Sequence, residues 1–76
     1  MSQQHWTMEL NNFCAKNRMT CSWVEGQCGP RNAPTWTVSA FINGIEYGRG
    51  SSLTKTAAKE IAAETALRSL WQQRGF

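Results

Sequence analysis

Thr35-Trp36-Thr37-Val38-Ser39-Ala40-Phe41-Ile42-Asn43-Gly44-Ile45-Glu46-Tyr47-Gly48-Arg49 is the stretch whose reading decides the fold. Trp36, Val38, Ala40 and Ile42 alternate with Thr37, Ser39 and Phe41, the two-residue period of a strand with one apolar face. Asn43-Gly44 then stands between two apolar runs. A type I′ turn needs positive φ at both central residues, and Asn-Gly meets that need at low steric cost, so a hairpin is expected there. Ile45–Arg49 becomes the returning strand. Upstream, Gly26-Gln27-Cys28-Gly29-Pro30 and Pro34 are breakers that predict a turn-rich segment. Before them, Thr20–Glu25, with Cys21 and Trp23 on one side, is the best third strand.

Helical patterns bracket these strands. Met8, Leu10, Phe13 and Cys14 recur near a 3.6-residue period and predict a helix from about Thr7 to Asn17. After the hairpin, Thr54 or Ser52 can cap a second helix that carries Ala57, Ala58, Ile61, Ala62, Ala63, Ala66, Leu67, Leu70 and Trp71. Ala58, Ala62, Ala66 and Leu70 form a stripe of mostly small side chains, which lets a helix lie close on a sheet. The order is α-β-β-β-α, an α+β fold with a three-stranded antiparallel sheet and both helices on one face. We expect a flexible N-terminus over residues 1–5, one domain over 6–71 and a C-terminal tail over 72–76.

Seventy-six residues suffice for one small core, which argues against an enzyme with separate substrate and cofactor domains. With 41% hydrophobic and 17% charged residues, the composition is not that of a disordered chain. No apolar run approaches the roughly 20 residues of a membrane span, and the first residues lack a secretory pattern. Eight Lys plus Arg against five Asp plus Glu give a net charge of +3, a basic excess that permits a nucleic-acid partner without requiring one.

Cys14, Cys21 and Cys28 are spaced by seven, with His5 as the only candidate fourth ligand. Zinc sites bring ligands in close pairs, and none occurs here, so we expect no metal and no cofactor. Three reduced thiols suit an intracellular location. His5 is solitary and the glutamates form no evident pair, so no catalytic constellation is expected. The four tryptophans, Trp6, Trp23, Trp36 and Trp71, are read as packing residues rather than a stacking platform for single strands.

Three stretches, in order, resemble those of double-stranded-RNA-binding domains over nearly the whole chain. Leu10-Asn11-Asn12-Phe13 is similar to the family's Leu-Asn-Glu-Tyr run. Gly29-Pro30-Arg31-Asn32-Ala33-Pro34-Thr35-Trp36 is similar to its Gly-Pro-x-His loop and aromatic strand start. Gly50-Ser51-Ser52-Leu53-Thr54-Lys55-Thr56-Ala57-Ala58-Lys59, continuing into Ala62-Ala63 and Ala66-Leu67, resembles its Ser-Lys-Lys-x-Ala-Lys helix start. The resemblance implies a non-catalytic module that reads the shape of A-form RNA. Such a module touches two minor grooves and the phosphates between them over roughly 16 base pairs.

By that resemblance, Glu9, Asn11 and Asn12 of helix 1 would meet one minor groove, where their donors and acceptors suit the 2′-hydroxyl. Pro30, Arg31, Asn32 and Ala33 would enter the second minor groove, with Arg31 adding a phosphate contact. Thr54, Lys55, Thr56 and Lys59 would take phosphates, because orphan amides and the dipole at a helix N-terminus favour anions, and Lys55 and Lys59 share a face. The chain departs from the family at Thr56, where a lysine is usual, and at Asn32, where a histidine is usual. Arg49 is a candidate for the missing charge, although its place in the family pattern is not a contact. Phe41 falls on the sheet face away from the helices, as a protein-contact candidate. Some family members have exchanged RNA binding for dimerisation or partner docking. A homodimer or protein partner through the sheet is therefore the alternative to double-stranded RNA, and no membrane partner is expected.

Overall fold

The computed structural model describes residues 5–73. Helix α1 spans Trp6–Lys16, strands β1, β2 and β3 span Cys21–Cys28, Thr35–Ile42 and Ile45–Ser52, and helix α2 spans Lys55–Gln73. The strands form an antiparallel sheet in the order β1-β2-β3, which gives the expected α-β-β-β-α arrangement. Helix α2 packs across β2 and β3, and α1 packs against α2.

The hairpin forms as its residues dictate, with Asn43 at φ 54° and Gly44 at φ 82°. Asn43 has a second task. Its Oδ1 accepts the Thr20 backbone N–H at 2.9 Å, and its own N–H donates to the Thr20 carbonyl at 2.8 Å. The β2–β3 turn is thereby tied to the chain entering β1.

Val38, Ala40 and Ile42 of β2 are buried with Leu10 and Cys14 of α1 and Ala58, Ala62, Ala63, Ala66, Leu67 and Leu70 of α2. All four tryptophans pack at the margin of this core as partly buried side chains. Helix α2 lies close on β3 because that strand offers no side chain beneath it: a Cβ at Gly48 would collide with the Ala62 carbonyl oxygen, and one at Gly50 with that of Ala58.

Several expected boundaries move. The breakers Gly26, Gln27 and Cys28 do not end β1; they pair with Thr37, Trp36 and Thr35. Ladder hydrogen bonds to a strong neighbouring strand outweigh the weak strand preference of glycine. Strand β3 continues beyond Arg49 to Ser52, with Tyr47 as the extra residue of a bulge opposite Ala40 and Phe41. Thr54, rather than Ser52, caps α2, its Oγ1 accepting the Ala57 N–H at 3.1 Å. Gln72 and Gln73 belong to α2, and the remainder of the expected tail lies outside the described residues, as do residues 1–4. Ser39 is only 8% exposed although it lies on the outer sheet face, because it occupies the central strand between Val24 and Arg49.

Candidate nucleic-acid interface

The β1–β2 loop and the start of α2 lie at the same end of the sheet. Cys28 pairs with Thr35, and Trp36 with Ser52, so Gly29–Pro34 and Thr54–Lys55 emerge side by side. Pro30, Arg31, Asn32 and Ala33 are all exposed in this loop. Gly29 takes φ 98°, a conformation that favours glycine, and the Ala33 N–H donates to the Pro30 carbonyl at 3.1 Å to close the turn. Arg31 has no ion-pair partner among the described residues.

Helix α1 reaches the site through α2. His5 provides no side-chain cap. Instead, Glu60 Oε1 accepts the backbone N–H groups of Trp6 at 2.6 Å and Thr7 at 3.2 Å, satisfying two orphan donors from 53 residues or more away. This role is not legible in the sequence, because no local pattern marks a cap delivered from another helix. From there α1 and α2 run side by side to a shallow cleft of about 130 Å³ lined by Glu9, Asn12, Phe13, Lys16, Leu67 and Trp71. Glu9 and Asn12 share this cleft. Asn11, equally exposed, turns to the other flank of the helix at 100° per residue. Between Asn11 and Asn12 on the helix surface lies Met8, which is 58% exposed, while the buried stripe of α1 is carried by Leu10 and Cys14.

At the start of α2, Thr54, Lys55 and Thr56 are exposed and Lys59 is half-buried. The first turn contains no acidic residue to compete for its amides and dipole. Lys55 and Lys59 are both laid over aromatic rings of the sheet. Lys55 Nζ lies 5.3 Å from the Trp36 ring centroid and 3.5 Å from Glu25 Oε1, and Lys59 Nζ lies 4.9 Å from the Trp23 centroid. Trp23 and Trp36 thus do more than the packing expected of them, and Glu25 has a role that no motif marks. The signal was the alternation in β1, which puts Trp23 and Glu25 on the inner face with Trp36, but only the helix crossing brings the lysines above them.

Arg49 does not join these cations. Its neighbours Gly48 and Gly50 face α2, so Arg49 points to the outer face, where its Nε donates to Glu46 Oε2 at 3.1 Å. It does not replace the charge missing at Thr56. Phe41 is half-buried on that outer face, diagonal to Val24, which is 58% exposed.

No group of His, Cys, Asp and Glu among the described residues could hold a metal ion. The thiols of Cys14 and Cys21 are neighbours between α1 and β1, with the Cys21 S–H on the donor side. Burial pushes both upward, Cys21 to about 11 with help from the neighbouring Cys14. Among the described residues, no helix is long and apolar enough to cross a membrane.

These elements define a sheet-and-two-helix module with a basic helix start beside a proline-bounded loop. The model of the double-stranded RNA binding motif matches residues 6–70, and the chain belongs to that family. Ribonuclease 3 of Streptomyces coelicolor is 30% identical over 66 residues, which are 86% of this chain but 24% of the relative, so the chain spans about a quarter of that protein's length. Among solved structures, one of Arabidopsis HYL1, described in terms of its implications for miRNA processing, superposes with a TM-score of 0.78 at 22% identity, covering 87% of this chain and 96% of the other. A solution structure of both double-stranded-RNA-binding domains of DRB4 with their linker gives 0.76 at 24% identity, covering 90% and 45%. At these identities the structural likeness is one of fold.

Proposed function

We propose that this chain binds double-stranded RNA without catalysis, through its A-form shape, 2′-hydroxyls and phosphates rather than its base sequence. The observation that carries this reading is the placement of Lys55 and Lys59 on the first turns of α2 at the same end of the sheet as the exposed Pro30–Ala33 loop. Two lysines and the free amides of a helix start attract phosphates lining the narrow major groove. Arg31, Asn32 and the backbone of Pro30 and Ala33 reach one minor groove, and Glu9, Asn11 and Asn12 reach the other. Thr54 and Thr56 contribute hydroxyls beside the lysines. With Thr56 in place of a cation and Arg49 turned away, the phosphate contact rests on fewer charges, so binding is weaker and less salt-dependent than a full set would give.

An anisotropy titration with a 20-base-pair RNA duplex, and with DNA of the same sequence, tests this. RNA should win, because only A-form geometry and 2′-hydroxyls fit the spacing of the three regions. Lys55→Ala with Lys59→Ala should lose most of the affinity, and the slope of log affinity against log salt should flatten by about 0.9 per phosphate contact removed. Equal binding to both duplexes, or none at low salt, would favour a protein-contact module. For that second reading, the exposed Val24 beside Phe41 on the outer face is the supporting observation. Its test is loss of self-association by Phe41→Asp in sedimentation.

A further inference from the structure

We propose that Trp23, Trp36 and Glu25 are positioning residues for the two lysines, and that they act with opposite signs on RNA affinity. This rests on the reading that Lys55 and Lys59 meet phosphate. A free lysine side chain samples many rotamers, and fixing it on a ligand costs entropy. Here both are already placed, Lys59 Nζ 4.9 Å over Trp23 and Lys55 Nζ 5.3 Å over Trp36. An aromatic face attracts a cation through its quadrupole and takes none of the ammonium's three N–H donors in a conventional hydrogen bond. The rings therefore hold the lysines in place while leaving donors for a phosphate, and these contacts persist when RNA arrives.

Glu25 is different. It lies on the inner face of edge strand β1, across from Val38, and its Oε1 stands 3.5 Å from Lys55 Nζ, with both side chains well exposed. A carboxylate occupies the same charge and donors that a phosphate oxygen needs, and it repels the incoming phosphate. Lys59 has no such anion: its only charged or aromatic partner among the described residues is Trp23. RNA binding exchanges Glu25 for phosphate at Lys55 and leaves Lys59 on its ring. Glu25 is thus an internal stand-in for phosphate that lowers affinity, and Trp23 a support that raises it.

The test has one arm without RNA and one with it. In the free protein, NMR should show the ε-methylene protons of Lys59 shifted upfield by the Trp23 ring, and the shift should vanish in Trp23→Leu, which keeps an apolar side chain at the position. Ordinary Lys59 shifts would overturn the positioning role. With the 20-base-pair RNA duplex, Glu25→Gln should bind about two- to fivefold tighter, the scale of one exposed ion pair. Trp23→Leu should bind about two- to fivefold more weakly, the scale of an exposed cation–π contact, and should change nothing further in a Lys59→Ala background. Weaker or unchanged binding by Glu25→Gln, or an equal loss from Trp23→Leu with Lys59 absent, overturns the inference while leaving RNA binding intact. Failure of the unsubstituted protein to bind the duplex overturns the proposed function itself, and the phosphate exchange with it.

Discussion

Arg18 holds φ 57° at the end of α1, where a left-handed residue closes the helix. The Met19 N–H donates to the Cys14 carbonyl at 2.8 Å and the Arg18 N–H to that of Ala15 at 3.3 Å, the two bonds of a Schellman cap. A glycine would hold this conformation without the Cβ penalty of roughly 1–2 kcal/mol, at some cost in unfolded-chain entropy. Arg18→Gly should therefore stabilise the domain by about 0.5–1 kcal/mol in urea unfolding. An unchanged or lower midpoint would show that the arginine side chain contributes more than its backbone costs. The contrast with Asn43-Gly44 is informative. That pair announced its positive φ values in the sequence, whereas nothing around Arg18 distinguishes it from an ordinary exposed cation.

At the scale of elements, the seat of α2 on β3 is the tightest constraint. The alanine stripe of α2 was legible as a close-packing face, but its counterpart was not. Gly48 and Gly50 complete the contact by leaving room for the helix backbone, with the carbonyl oxygens of Ala62 and Ala58 too close to admit a Cβ at either position. A methyl group there meets helix backbone, which cannot swing aside as a side chain can. Gly48→Ala should cost about 3 kcal/mol, the upper end for overpacking, with a visible loss in the thermal midpoint. A loss below about 1 kcal/mol would mean that α2 can slide along the sheet. Strand β1 shows the reverse case, since Gly26 and its neighbours looked like breakers by composition, and pairing with β2 overrode them.

Across the whole molecule, α1 is held to the rest by contacts that link distant parts of the chain: Glu60 at its N-terminus, and the Cys14–Cys21 thiol pair on its sheet side. Burial raises the Cys21 thiol from 9.0 to about 11, so the folded state favours the neutral form. In the unfolded chain this thiol ionises first as pH rises. The folded state therefore keeps its full advantage below pH 9 and loses it progressively from there towards pH 11. Urea unfolding across that window should show falling stability, with a shallower fall in Cys21→Ala. An identical fall in that variant would assign the effect to other groups.

The sequence by itself determined the order of elements, the hairpin and the family, because each depends on residues within a few positions of one another; it left the α2 cap between Ser52 and Thr54, and the structure chose Thr54. The same local logic put Lys55 and Lys59 on one face. Only the tertiary structure decided what lies beneath those lysines, which way Arg49 points, how far β1 extends and which residue caps α1. Each of these depends on partners from another element: Trp23, Glu25 and Trp36 meet the lysines only once α2 crosses the sheet, and the register of β3 turns Arg49 to the far face. The net charge of +3 is therefore a poor measure of the cations available to a phosphate. Of the basic residues at the loop and the start of α2, Lys55 is already shared with a carboxylate and Lys59 is held over a ring, while Arg31 has no ion-pair or ring partner among the described residues.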